Sequence, residues 1–96
     1  MYDKPEEFEE KFKEAIEIVK NKNVNFKIGI GKNCGYPYDC IVFYNENKKV
    51  NIYWDDDALE WGICVDVDEE IVLDIRCNID EVDKKAILIV QETFSL

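Results

Sequence analysis

The stretch WGICVDVDEEIVLDIRC, residues 61–77, decides the fold. Trp61, Ile63, Val65 and Val67 stand at every second position, and so do Ile71, Leu73, Ile75 and Cys77. A period of two puts each set on one face of a strand, because successive side chains of an extended chain point to opposite sides. The acids Asp68, Glu69 and Glu70 between them make a short polar turn. Strands joined this way pair antiparallel, with Val65 opposite Leu73 and Ile63 opposite Ile75.

The same alternation continues upstream. Val24, Phe26, Ile28 and Ile30 alternate with Asn25, Lys27, Gly29 and Gly31, which predicts a strand with one buried face. After the loop GKNCGYP, residues 31–37, the run DCIVFYN at 39–45 is apolar on both faces and belongs inside the sheet. Residues 45–49 form a polar turn, and Val50, Ile52 and Trp54 alternate into a third strand. A turn of two or four residues pairs Phe43 with Val50 and Ile41 with Ile52. A three-residue turn brings Val42 inward instead, and the sequence leaves the choice open.

At both ends the period becomes 3.6. Phe8, Phe12, Ala15, Ile16 and Val19 form one apolar stripe of a helix over about residues 4–22, with Asp3 as its N-cap and Pro5 in its first turn. Glu6, Glu7, Glu9 and Glu10 load its start, and Lys20 and Lys22 its end, in the sense the helix dipole favours. A second helix spans about 79–94. Asn78 and Glu81 make a capping-box pattern, Cys77 and Val82 a hydrophobic staple, and Val82, Ala86, Ile89, Val90 and Phe94 a buried stripe. The expected architecture is α+β in the order α-β-β-β-β-β-α. A five-stranded, mainly antiparallel meander carries the N-terminal and C-terminal helices on one face, and residues 1–96 form one domain.

Charge bounds the partners. Acidic residues number 22 against 12 basic, a net charge of −10, and Arg76 is the only arginine. Phosphate backbones and anionic membranes call for a basic patch, so direct nucleic-acid or membrane binding is not expected. A basic protein is, because opposite net charge speeds encounter. No apolar run reaches the length of a membrane span, and MYDKPEEFEEKFKE holds no signal-peptide core, so a cytoplasmic location is expected.

The motifs that would carry chemistry are weak. The chain has no histidine, which removes the usual general base and the common nucleophile pairs. Cys34, Cys40, Cys64 and Cys77 lack the two close pairs of a zinc site and are expected to be reduced, several of them as small packing groups. GIGKNCG, residues 29–35, matches neither phosphate-loop pattern, and a strand follows where a helix should open. Asp55, Asp56, Asp57 and Glu60 lack calcium-loop spacing and read as a solvated turn, although a carboxylate enzyme or small-ligand protein would draw on them. No cofactor or metal, and no enzymatic activity, is expected.

Tyr38, Tyr44 and Tyr53 fall on the sheet face opposite the assigned core, with Tyr36 in the neighbouring loop. Asp66, Asp74, Val72 and Lys27 share that face. Aromatics ringed by acids suit a basic protein surface, because tyrosine joins apolar area to a polar tip. Shielding of the outer face, or a homodimer contact, would use the same residues. The expected partner-binding set is Tyr36, Tyr38, Tyr44, Tyr53, Asp55, Asp56, Asp57, Asp66, Asp68 and Asp74. Small size, acidity and this face fit a stoichiometric inhibitor of a basic partner, by analogy of profile with bacterial toxin-immunity and phage counter-defence proteins. A homodimeric structural or chaperone-like subunit is the other binding reading.

Overall fold

Strand alternation and helical stripes resolve into one sheet and two helical regions in a computed structural model, which describes residues 5–30 and 38–96. The elements run α1 (Pro5–Lys11), α2 (Lys13–Val19), β1 (Asn25–Gly29), β2 (Asp39–Tyr44), β3 (Lys48–Asp55), β4 (Glu60–Val67), β5 (Glu70–Cys77) and α3 (Val82–Phe94). The sheet order β1-β2-β3-β4-β5 follows the chain, and every pair is antiparallel. The expected α+β meander is therefore the fold. Asp3, Cys34, Tyr36 and the glycine loop 31–37 lie outside the described residues.

Register settles the open turn. Phe43 pairs with Val50 and Ile41 with Ile52, which turns both pairs toward the helices. Asn45 fixes that turn: its Oδ1 accepts from the backbone N–H of Asn47 at 3.2 Å and of Lys48 at 2.9 Å. β2 lies inside the sheet and is buried at its four central positions, as its two-sided apolar sequence requires.

The inner face is closed by both helical regions. Phe8, Phe12, Ala15 and Val19 from the first, and Val82, Ala86 and Val90 from α3, join Ile41, Phe43, Val50, Ile52, Trp61 and Ile63 in one buried cluster. All the buried helical residues of the core belong to this cluster, so the helices share one side of the sheet. Lys11 of α1 ties the two helical regions together through Asp83 of α3 at 3.0 Å.

Three details depart from the sequence reading. The N-terminal helix is interrupted at Phe12 (φ −106°, ψ 25°), although Phe12 N–H still donates to Phe8 and Ile16 N–H to Phe12. α3 starts at Val82 rather than 79. Asn78 does cap that end, accepting from the N–H of Asp80 and of Glu81 at 3.0 Å each while its own amide donates to Glu81 Oε1. Third, β4 and β5 change register between Val65 and Asp66, so Ile71 stands opposite Asp66 and Val67 opposite Glu70. The turn is thus the two residues Asp68 and Glu69, both at positive φ (54° and 68°) as a primed hairpin turn demands. Ile71 leaves the inner stripe expected for it and is 66% exposed.

The cysteine expectation is corrected in part. Cys40 is disulfide-bonded, whereas Cys64 and Cys77 are buried thiols. Spacing along the chain does not report how closely two Cα atoms approach, and that distance decides whether a bridge forms. Burial pushes the Cys77 thiol above its ordinary range, so it packs as an apolar group. Among the described residues no helix is long and apolar enough to cross a membrane.

Candidate functional site

The antiparallel registers lay the outer face out in cross-strand rows. One row runs Cys40, Tyr53, Gly62, Arg76 across β2 to β5; the next runs Val42, Asn51, Cys64, Asp74; a third, nearest the turns, runs Tyr44, Lys49, Asp66, Ile71. The middle of this face is a second small core of Cys40, Val42, Tyr53 and Cys64, with Tyr38 and Tyr44 packed against it. Asn51 is buried beside it, and its side-chain amide donates to the Cys64 carbonyl at 3.4 Å.

Tyr53 is 3% exposed. Tyr38 stacks on it at 5.1 Å between ring centroids, and the Arg76 guanidinium lies over it at 5.2 Å. The ring lies over Gly62, where a Cβ would overlap it. Tyr53 therefore shields the outer face, one of the roles the sequence allowed, and it holds Tyr38 and Arg76 in place. Tyr38 and Tyr44 are half-buried and keep part of their rings at the surface. Lys27 sits over the Tyr44 ring at 5.7 Å.

The run Asp55, Asp56, Asp57 does not act as one acidic patch. Asp55 is buried, and its carboxylate is committed within the protein: Oδ2 accepts from Arg76 at 2.8 Å, and Oδ1 accepts from the N–H of Asp57 at 3.0 Å and of Ala58 at 3.1 Å. Glu60 lies 3.7 Å from the same guanidinium. Asp56 accepts from the Trp54 indole N–H. Asp57 is exposed. An acid–base role for Asp55 would need a carboxylate with oxygens to spare, and these hydrogen bonds take both. Leu59 projects from the same turn at φ 55°, 72% exposed. The sequence reading passed over it, although an apolar residue between acids in DDDALE was the available signal.

Arg76, foremost, and the turn amides hold the Asp55 carboxyl below its ordinary value of 3.8. A depressed carboxylate contributes stability above its unfolded pKa and loses it as pH falls through the folded one. Asp55→Asn is therefore expected to be less stable than the native chain at neutral pH. The gap should close as pH drops below 3.8. Thermal melts of both proteins across that range check this, and a gap that stays constant would remove the ion pair as its cause.

The acids of the turns do gather. Glu46, Asn47, Lys49, Asp66, Asp68 and Glu69 line an open cleft of about 630 Å³ at the end of the sheet. Asn47 joins its two turns, donating from its side chain to Asp68 Oδ1 at 3.3 Å and accepting from the Asp68 N–H at 2.8 Å. Tyr44 borders an adjoining hollow that shares Glu46 and Asn47 with the cleft. Asp74 is exposed on the neighbouring row. The structure thus brings Tyr44, Asp66 and Asp68 together, with Asp74 on the next row, and leaves Tyr38, Asp56 and Asp57 toward the opposite end of β3.

Comparison with protein-family models, with curated proteins and with solved structures found no match.

The outer face and its acid-lined end can hold a surface by stacking and by charge. Among the described residues no group of three or more Cys, Asp or Glu is placed to hold a metal ion.

Proposed function

We propose that this chain is a small acidic protein-binding module, a stoichiometric inhibitor of a basic, macromolecule-binding partner of the toxin-immunity or phage counter-defence type. The observation that carries the reading is the acid-lined cleft adjoining Tyr44 at the turn end of the outer face. Four carboxylates there, Glu46, Asp66, Asp68 and Glu69, accompany one cation, Lys49. A lysine or arginine of a partner would enter a field reinforced by the chain's net charge of −10. Tyr44 supplies apolar area next to it and Asp74 extends the acidic surround, while Tyr38, Asp56 and Asp57 would meet the partner at the other end of β3. Tyr53 and Asp55 take part indirectly, by fixing Tyr38 and Arg76. The site of action in this reading is the cytoplasm, where the Cys40 disulfide would be open to reduction.

The test is capture from the source cells followed by kinetics. The native chain should recover a basic protein as a one-to-one complex. Glu46→Lys combined with Asp68→Lys should slow association by about tenfold or more at low ionic strength, and that difference should shrink at high salt. Recovery of no basic protein, or a rate insensitive to both charge reversals and salt, would sink the proposal.

A further inference from the structure

β5 is an edge of the sheet among the described residues, and it is the least covered strand of the five. Only Cys77 of its eight residues is buried. Ile71 and Val72 are 66% and 60% exposed. Folded proteins commonly blunt such an edge with charges, above all lysine, with proline or with a bulge; β5 contains neither lysine nor proline, and its bulge lies toward one end, between Ile71 and Leu73. The opposite edge, β1, is five residues long and includes Lys27.

α3 packs chiefly against β3 and β4. An open cleft of about 380 Å³ lies there, with Val65, Val67, Val72, Leu73 and Ile89 along it. Beyond the bulge, Leu73 to Cys77 keep regular register with β4. The charges along this edge are one-sided. Glu70 and Asp74 are exposed on the strand and Glu92 stands at the cleft. Nearby cations are engaged: Lys48 donates to the Thr93 carbonyl at 3.0 Å, Arg76 pairs with Asp55 at 2.8 Å, and Lys85, near Cys77, pairs with Glu81 at 3.1 Å.

We infer that β5 accepts an extended segment of a basic protein as a sixth strand, with alternate apolar side chains over the Val72–Leu73–Ile89 cleft and lysine or arginine between them. Edge backbone groups supply the hydrogen bonds, the cleft selects every second side chain, and Asp74, on the outer face, favours a cation among the others, with Glu70 and Glu92 adding to the negative field of the edge. The inference deepens the protein-binding reading and rests on it.

The probe is a capped peptide of about eight residues, the length of β5, alternating valine and lysine. Its controls are the block-ordered isomer, with all valines before all lysines, and an alternating valine–glutamate peptide. Titration calorimetry and amide hydrogen exchange on the full chain read the outcome. The alternating Val–Lys peptide should bind about tenfold or more tighter than its block isomer and slow exchange across Leu73 to Cys77. The double variant Ile71→Asn, Val72→Asn changes two exposed side chains at no cost in charge; it should melt as the native chain does and lose that preference. Equal binding of the two isomers, binding of the glutamate peptide, or protection that falls on β1 would overturn strand addition. So would protection of β5 that rises with the chain's own concentration in the absence of peptide, since a second copy would then occupy the edge. If strand addition fails while Glu46→Lys, Asp68→Lys still slows capture of the basic partner, the protein-binding reading survives alone.

Discussion

Trp61→Ala is expected to cost about 3–5 kcal/mol, the usual penalty for truncating a fully buried aromatic. The total stability of a domain this size is only about 5–15 kcal/mol, so the variant should be partly unfolded at modest temperature. Trp61 is 0% exposed and touches three other rings. Phe8 and Phe12 meet it edge-on at 5.7 Å and 5.3 Å, and Trp54 is tilted against it at 5.4 Å. Such pairs add about 0.5–1.5 kcal/mol each beyond the area they bury. The Lys11 ammonium lies over the same indole at 5.5 Å before it reaches Asp83. One side chain on β4 therefore seats α1 on the sheet and orients the cation that joins α1 to α3. Phe12 interrupts the helix where it reaches this ring, so alanine would leave both a cavity and an unseated helix. Urea unfolding followed by far-ultraviolet circular dichroism should show the midpoint falling by about 2 M, for a slope of about 2 kcal/mol per molar. Trp61→Phe, which keeps an aromatic ring, should lose much less. A midpoint for Trp61→Ala within about 0.5 M of the native value would mean the helix is held by something else.

Period-two alternation made the meander and most of its register legible, because a one-residue slip would turn Ile63, Val65, Leu73 and Ile75 out to solvent. The cap at Asn78 was legible because its partners, Asp80 and Glu81, lie within three positions of it. What escaped the sequence depends on distances between residues far apart in the chain. Ile71 looks like the next member of its stripe, and only the shorter turn with its compensating bulge shows it is not. Asp55, Asp56 and Asp57 look equivalent, but the strand's alternation sends Asp55 to the row beside Arg76, 21 positions on, and Asp56 back to Trp54. Tyrosines at alternate positions were placed correctly on the outer face. Their exposure was not readable, since burial of Tyr53 is set by Tyr38 and Arg76 stacking on it. The acid-lined cleft exists because Asn47 joins two turns, and no local pattern announces that contact.

Gly62 was the overlooked signal, and it carries the second large effect. A glycine between Trp61 and Ile63, in the middle of a strand, loses packing and conformational freedom unless something needs the space. Here the Tyr53 ring occupies it, and a Cβ at Gly62 would collide with that ring. The ring has little room to retreat, being buried with Tyr38 stacked on it and Arg76 lying over it. Gly62→Ala is expected to destabilise by about 1–3 kcal/mol, the range for forcing an extra carbon into a packed site. Removing the ring removes the reason for the glycine. In the Tyr53→Ala background, Gly62→Ala should then cost nothing measurable, because an alanine suits a strand better than glycine does. The double-mutant cycle should give a coupling of about 1–3 kcal/mol, well outside the few tenths found for independent sites. Urea unfolding of the four proteins measures it, and additive effects would show that the clash is relieved elsewhere. The same substitution reaches the outer surface. Displacing Tyr53 moves the group on which Tyr38 stacks and over which Arg76 lies, so Gly62→Ala should also weaken partner capture more than its loss of stability explains, measured where both proteins are fully folded.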